Sequence, residues 1–172
     1  MAKASPPSDD EGEAPLALHR EVVLPEWIDY NGHMNVAFYV LAFDHATDRF
    51  LDLIDLGHDY MKRTNNSSFV LETHVTYARE VKLDDPLQFT LQLLDADEKR
   101  LHYYFEMFHG TEGYLAATSE LISMHVDLDA RLSAPMPEAA QRRIAAILEA
   151  HRDLARPEQS GRVIGIRRKR TN

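Results

Sequence analysis

The stretch Pro25-Glu26-Trp27-Ile28-Asp29-Tyr30-Asn31-Gly32-His33-Met34-Asn35 decides how the rest of this chain is read. It follows a short apolar run, Val22 to Leu24, and opens onto Val36-Ala37-Phe38-Tyr39-Val40-Leu41-Ala42-Phe43, which is apolar on every side. A helix without a polar face has to be enclosed on most sides. Asn35 suits the cap of that helix. Gly32 suits a backbone conformation, or a close ligand approach, that a Cβ obstructs. Asp29 and His33 thus sit at the mouth of a buried helix. The unpaired N–H groups and partial positive charge found there fit a carbonyl oxygen that becomes an oxyanion.

Working outward, the helix is expected to run from near Asn35 to about Leu56. It turns amphipathic after Asp44 and stops at Gly57. Upstream, Leu18 to Trp27 reads as a first strand with Pro25 marking an edge or an exit. Downstream, Ser67–Val81 alternates, with Phe69, Leu71, Thr73, Val75 and Tyr77 on one face and Val70, Glu72, His74 and Thr76 on the other. Pro86–Asp95, Leu101–Phe108 and Tyr114–Leu128 complete four strand-like segments, the last two joined by the hairpin-type link His109–Gly113. Glu138 to Leu154 returns to helical spacing. The expected fold class is therefore α+β: a curved antiparallel five-stranded sheet wrapped around one long central helix, plus a C-terminal helix. Three parts follow: a disordered segment over 1–15, the folded domain over 16–135, and a C-terminal helix with a basic tail over 136–172. Open strand edges invite a second copy, so a homodimer or a dimer of dimers is expected.

The bulk numbers narrow the function classes. A chain of 172 residues with 44% apolar content can build one sizeable core. Cysteine is absent, which removes thiolate chemistry and disulfides. The net charge of −9 hides an asymmetry: residues 141–170 hold nine Lys or Arg against three acids, leaving −15 on the remainder. An acidic body of this kind argues against nucleic acid. The basic end reads either as a solvated tail or as an attraction for a phosphorylated ligand. No apolar run reaches the roughly 18 residues of a membrane span, and no signal-like start is seen, so a cytoplasmic protein with no membrane partner is expected. Neither HxH nor HExxH occurs, and His33, His74, His102, His109 and His125 fall on separate elements. No metal and no cofactor are expected.

The pattern Trp27-x-Asp29-Tyr30-Asn31-Gly32-His33-Met34-Asn35 before an apolar helix resembles the hotdog-fold acyl-CoA thioesterases, and more narrowly the 4-hydroxybenzoyl-CoA thioesterase type. The resemblance spans roughly residues 19–128. It implies that Asp29 is the catalytic carboxylate, as general base on water or as nucleophile giving a mixed anhydride, and that the Val36 backbone N–H polarises the thioester carbonyl. Two readings of His33 stand, a structural ring bonded to backbone or a group that orients Asp29 or the thioester. Asn35 reads as a cap near the substrate. Glu72 and His74, on one strand face, reach either towards the helix start or towards an interface.

A longer match runs through Ala42–Asp48, Leu71–Tyr77 and Gln92–His102. It resembles the betainyl-CoA thioesterases of bacterial carnitine breakdown, which also occur fused to L-carnitine dehydrogenase. That implies an acyl-CoA substrate with a trimethylammonium group. Aromatic faces hold such a cation at roughly 0.5–2 kcal/mol each. Trp27, the only tryptophan, lies two residues before Asp29, with Tyr30, Tyr39, Phe43 and Tyr60 nearby in sequence, and all of them also read as ordinary core. A thioesterase for aryl- or fatty acyl-CoA remains the alternative. A hotdog hydratase needs a different His–acid motif, and a non-catalytic acyl-CoA sensor needs a DNA-binding module. Arg79, Lys82, Lys99, Arg100 and the basic tail are the candidates for the CoA phosphates.

Overall fold

The structure, a computed structural model, describes residues 14–166. The expected disorder over most of 1–15 and the Arg167–Arg170 cluster lie outside the described residues. The elements run β1 (Leu16–Val22), α1 (Val36–Leu53), α2 (His58–Thr64), β2 (Asn66–Tyr77), β3 (Pro86–Ala96), β4 (Arg100–His109), β5 (Leu115–Asp127), β6 (Leu132–Ser133) and α3 (Glu138–His151). All strand pairs are antiparallel, in the order β1-β3-β4-β5-β2, with the two-residue β6 added to β5. The expected α+β architecture, a curved antiparallel sheet on one long helix with a C-terminal helix, is observed, with the short strand β6 and the helix α2 added to it.

Alternation decides which face of the sheet meets α1. Leu101, Tyr103, Phe105 and Met107 of β4 are all buried on the inner face. Phe43 of α1 lies between Phe89 and Phe105, with ring centroids 5.7 and 6.0 Å away, and Phe50 sits 5.4 Å from Tyr103. Burying each such ring contributes about 1.5–3 kcal/mol. This aromatic column holds α1 against the curl of the sheet.

Four expectations are corrected. The first strand ends at Val22, because Pro25–Trp27 forms a single 3-10 turn that redirects the chain. Helix α1 ends at Leu53, where the chain reverses through Asp55 at φ 57°, and Gly57 leads into α2 instead of closing α1. A bulge at Leu71 breaks the alternation of β2: Phe69 pairs with Met124, but Thr73 pairs with Leu121, so Phe69 and Thr73 face opposite ways. The start of α1 is also less enclosed than its composition suggests. Val36, Val40 and Leu41 remain exposed, because a sheet curled over one side of a helix leaves the other side open.

The C-terminal part closes the opposite end. Leu16, the first residue of β1, pairs with Leu91; two residues further along β3, the Leu93 N–H donates to His151 Nδ1 of α3 instead, at 2.9 Å. The chain then crosses the outer face, where the Ser160 hydroxyl and the Gly161 N–H donate to Glu120 at 2.8 and 2.6 Å. Burial pushes the Glu120 carboxyl up, but these two donors and His102 outweigh it and hold the group below its ordinary range.

Candidate active site

Asp29 opens a tight hairpin. Its N–H donates to the His33 carbonyl, and its own carbonyl accepts from Gly32, both at 3.0 Å. Gly32 has φ +82°, a conformation that strains any residue with a Cβ even though the space beside it is empty. The Asp29 carboxylate accepts the Asn31 N–H at 2.8 Å through Oδ1, an Asx turn that fixes the side chain's direction. Two clamps hold the hairpin: Met34 N–H donates to the Val81 carbonyl at 2.9 Å, and Asn35 N–H to the Trp27 carbonyl at 2.8 Å.

Asn35 caps α1 as expected, its side-chain oxygen accepting the Ala37 N–H at 3.0 Å. The N–H of Val36, the first residue of α1, has no acceptor among the described residues. An open cleft of about 360 Å³ lies here, and Asp29, His33, Val36, Tyr39, Tyr77 and Glu80 line it. The Tyr39 and Tyr77 rings meet edge to face at 5.2 Å, and the Tyr39 hydroxyl accepts the Val81 N–H at 3.3 Å. Burial pushes both phenols up, which keeps them neutral at physiological pH. Arg79 lies on the rim, its guanidinium 3.8 Å above the Tyr114 ring. Lys82 is close by, 3.7 Å from Glu80.

Of the residues singled out from sequence, Asp29, Val36 and His33 line this cleft, and Asn35 caps the helix that Val36 begins. The His33 ring pairs with Glu80 at 3.0 Å and not with backbone or Asp29, which corrects the structural reading and leaves the ring in the cleft where a thioester would lie. Trp27 is corrected from an extended-strand position beside Asp29. The 3-10 turn drives it into the core at 3% exposure, stacked on Phe38 at 5.8 Å. Tyr30 projects from the tip of the turn, 96% exposed. Glu72 and His74 do not reach the helix start within the chain. His74 pairs with Glu120, and Glu120 with Tyr104, so both residues of β2 lie on the outer face away from α1. Lys99 and Arg100 engage Glu98 and Asp97 in the β3–β4 turn.

Two of the cleft residues, Tyr77 and Glu80, are not among the site candidates the sequence offers. Tyr39 reads both as core and as one of the aromatics near Trp27, Tyr77 as one residue of an alternating strand, and Glu80 as part of the far end of that same Ser67–Val81 segment. No signal in the sequence singles out Tyr77, because the bulge that turns it inward shows only in the pairing of β2 with β5.

A sheet curled over one long helix, with Asp29 and the first residue of that helix lining one cleft, is the hotdog arrangement. Residues 23–144 match the thioesterase-like superfamily. A betainyl-CoA thioesterase of Pseudomonas aeruginosa is 41% identical over 151 residues, covering 88% of this chain and 95% of that protein. The L-carnitine dehydrogenase/betainyl-CoA thioesterase of Rhizobium meliloti is 35% identical over 164 residues, which are 95% of this chain but 33% of that longer protein. Among solved structures, a Staphylococcus aureus protein in complex with CoA superposes with a TM-score of 0.83 at 31% identity, covering 90% of this chain and 98% of that one. The chain belongs to the thioesterase-like superfamily and is an acyl-CoA thioesterase. No helix among the described residues is long and apolar enough to cross a membrane.

Proposed function

We propose that this chain hydrolyses betainyl-CoA to glycine betaine and CoA. The observation that carries the reading is the 41% identity to a betainyl-CoA thioesterase, which extends over nearly all of both chains. In the proposed reaction the thioester carbonyl oxygen points at the Val36 N–H, which strengthens its hold as negative charge develops. Asp29 either removes a proton from the attacking water, after which the C–S bond breaks and CoA leaves as its thiolate, or attacks the carbonyl itself. The second route expels the same thiolate and leaves a mixed anhydride, which water then cleaves to the free acid and Asp29. In both routes the Asx turn with Asn31 serves to aim the carboxylate. The trimethylammonium group is placed against Tyr39 and Tyr77, with Glu80 adding Coulomb attraction. Arg79 and Lys82, at the rim, are the proposed partners of the CoA phosphates.

A second copy fits the open side of this site. β2 is an edge strand whose Phe69, Val70 and Leu71 are exposed, and Val36, Val40 and Leu41 of α1 are exposed as well. We propose that two copies pair along β2, which covers those side chains and narrows the cleft. A substrate carried on CoA fits a cytoplasmic site of action.

The test is CoA release from betainyl-, acetyl-, benzoyl- and long-chain acyl-CoA. The expected result is the highest kcat/KM for betainyl-CoA. A preference for the benzoyl or long-chain substrate would remove the assignment and leave the fold and reaction class standing.

A further inference from the structure

The geometry points to a second site, distinct from the cleft: we infer that His19 and Glu21 of β1 and His45 of α1 bind a divalent first-row transition metal such as Zn²⁺. Histidines 19 and 45 belong to no metal motif in the sequence, and only the packing of β1 on α1 unites them. His19 and Glu21 pair with Phe89 and Leu87, whose side chains are buried on the inner face, so both β1 residues face the helix. His45 meets them from α1, two turns beyond Phe38. The carboxylate oxygen Oε2 of Glu21 lies 2.9 Å from His45 Nδ1 and 3.6 Å from His19 Nε2. One donor atom from each of the three lies within 4.8 Å of the other two, the only such group of three among the described residues.

Hydrogen bonding within the chain leaves this group incomplete. The His45–Glu21 contact satisfies one carboxylate oxygen, but His19 Nε2 and Glu21 Oε1 are buried without a partner. A buried nitrogen and a buried carboxylate oxygen left without hydrogen bonds are unfavourable, and a shared cation satisfies both. Two imidazoles and one carboxylate match the donors Zn²⁺ and its neighbours prefer, whereas Ca²⁺ and Mg²⁺ require more oxygens. Three protein ligands leave a fourth position for water. The His45 side chain, 40% exposed, marks the side from which that water and the metal enter. The Phe89 ring, 5.4 Å from His19, and the Trp27 ring, 6.4 Å from His45, pack the imidazoles from the other sides.

None of the three residues lines the cleft, so the metal acts as a clip between the edge strand and the central helix and takes no part in the hydrolysis. It is independent of which acyl group the enzyme accepts. The test is calorimetric titration of untagged, chelator-treated protein with Zn²⁺, with melting temperature as a second readout. One Zn²⁺ per chain is expected, with a rise in melting temperature on binding. Affinity falls by at least about tenfold in both His45→Gln and His19→Gln, and the outer-face control His74→Gln leaves it unchanged. Because His45 is the more exposed ligand, His45→Gln decides the matter if His19→Gln does not fold. Absence of stoichiometric binding to the wild type overturns the inference. So does binding that survives His45→Gln, which would assign the ion to other surface groups.

Discussion

The two flanks of α1 both carry aromatic side chains, and they use them in opposite ways. On the β1 flank, Trp27 stacks on Phe38 and is sealed in the core, with His45 beside it. On the β2 flank, Tyr39 and Tyr77 meet edge to face beside an open cleft that Asp29 and Val36 share. Trp27 is two residues from Asp29 in sequence, whereas Tyr77 is 48 residues away, yet Tyr77 is the one that shares the cleft with the carboxylate. Closeness along the chain says little when one of the two residues closes a 3-10 turn. What assigns a ring to the core or to the site is the side of the helix on which it lands.

Three substitutions set this contrast to the test. Trp27→Ala should have the largest effect, a loss of about 3–5 kcal/mol of stability in denaturant unfolding, as for other buried large aromatics. Any change in KM should be the same for betainyl- and acetyl-CoA. A loss confined to the cationic substrate would return Trp27 to the acyl pocket and break the contrast. Tyr77→Leu should act the other way, raising KM for betainyl-CoA roughly 2- to 30-fold, the worth of one cation–π contact, while acetyl-CoA is unaffected. Equal effects on both substrates would make Tyr77 a packing residue like Trp27. Asn35→Ala, which removes the cap both flanks share, should cost about 1 kcal/mol in thermal unfolding. No change in stability would mean that another group already satisfies the Ala37 N–H.

Much of this organisation was legible in the residues. The bounds of strands β3, β4 and β5 differ from the expected ones by a residue or so, although each pairing among them carries one register shift. Asn35 announced the start of α1 by its chemistry, and its oxygen does accept the Ala37 N–H. Other features depend on contacts distant in sequence. The polar stretch His58–Thr64 has no apolar stripe, and α2 buries only Tyr60 among its residues. The Leu71 bulge is one extra residue in a strand whose composition gives no sign of it, and it decides that Tyr77 faces inward while His74 faces out. The Glu80–His33 pair and the His19–Glu21–His45 group each join elements that only the closed sheet brings together. Composition pointed to an enclosed helix start, yet Val36 and Val40 stay uncovered in a single chain. Whether such a surface faces solvent or a second copy is a property of association, which apolar content alone does not encode.

The central claim, that the carboxylate at the mouth of α1 performs the hydrolysis, is tested most directly by steady-state kinetics and melting temperature on Asp29→Asn. The amide keeps an oxygen to accept the Asn31 N–H, so the hairpin should hold and the melting temperature should stay near that of the wild type. Turnover of betainyl-CoA should fall by on the order of 10² or more, because the replacement neither takes a proton nor attacks a carbonyl. Turnover near the wild-type level in a folded Asp29→Asn protein would contradict the account and move the chemistry out of this cleft.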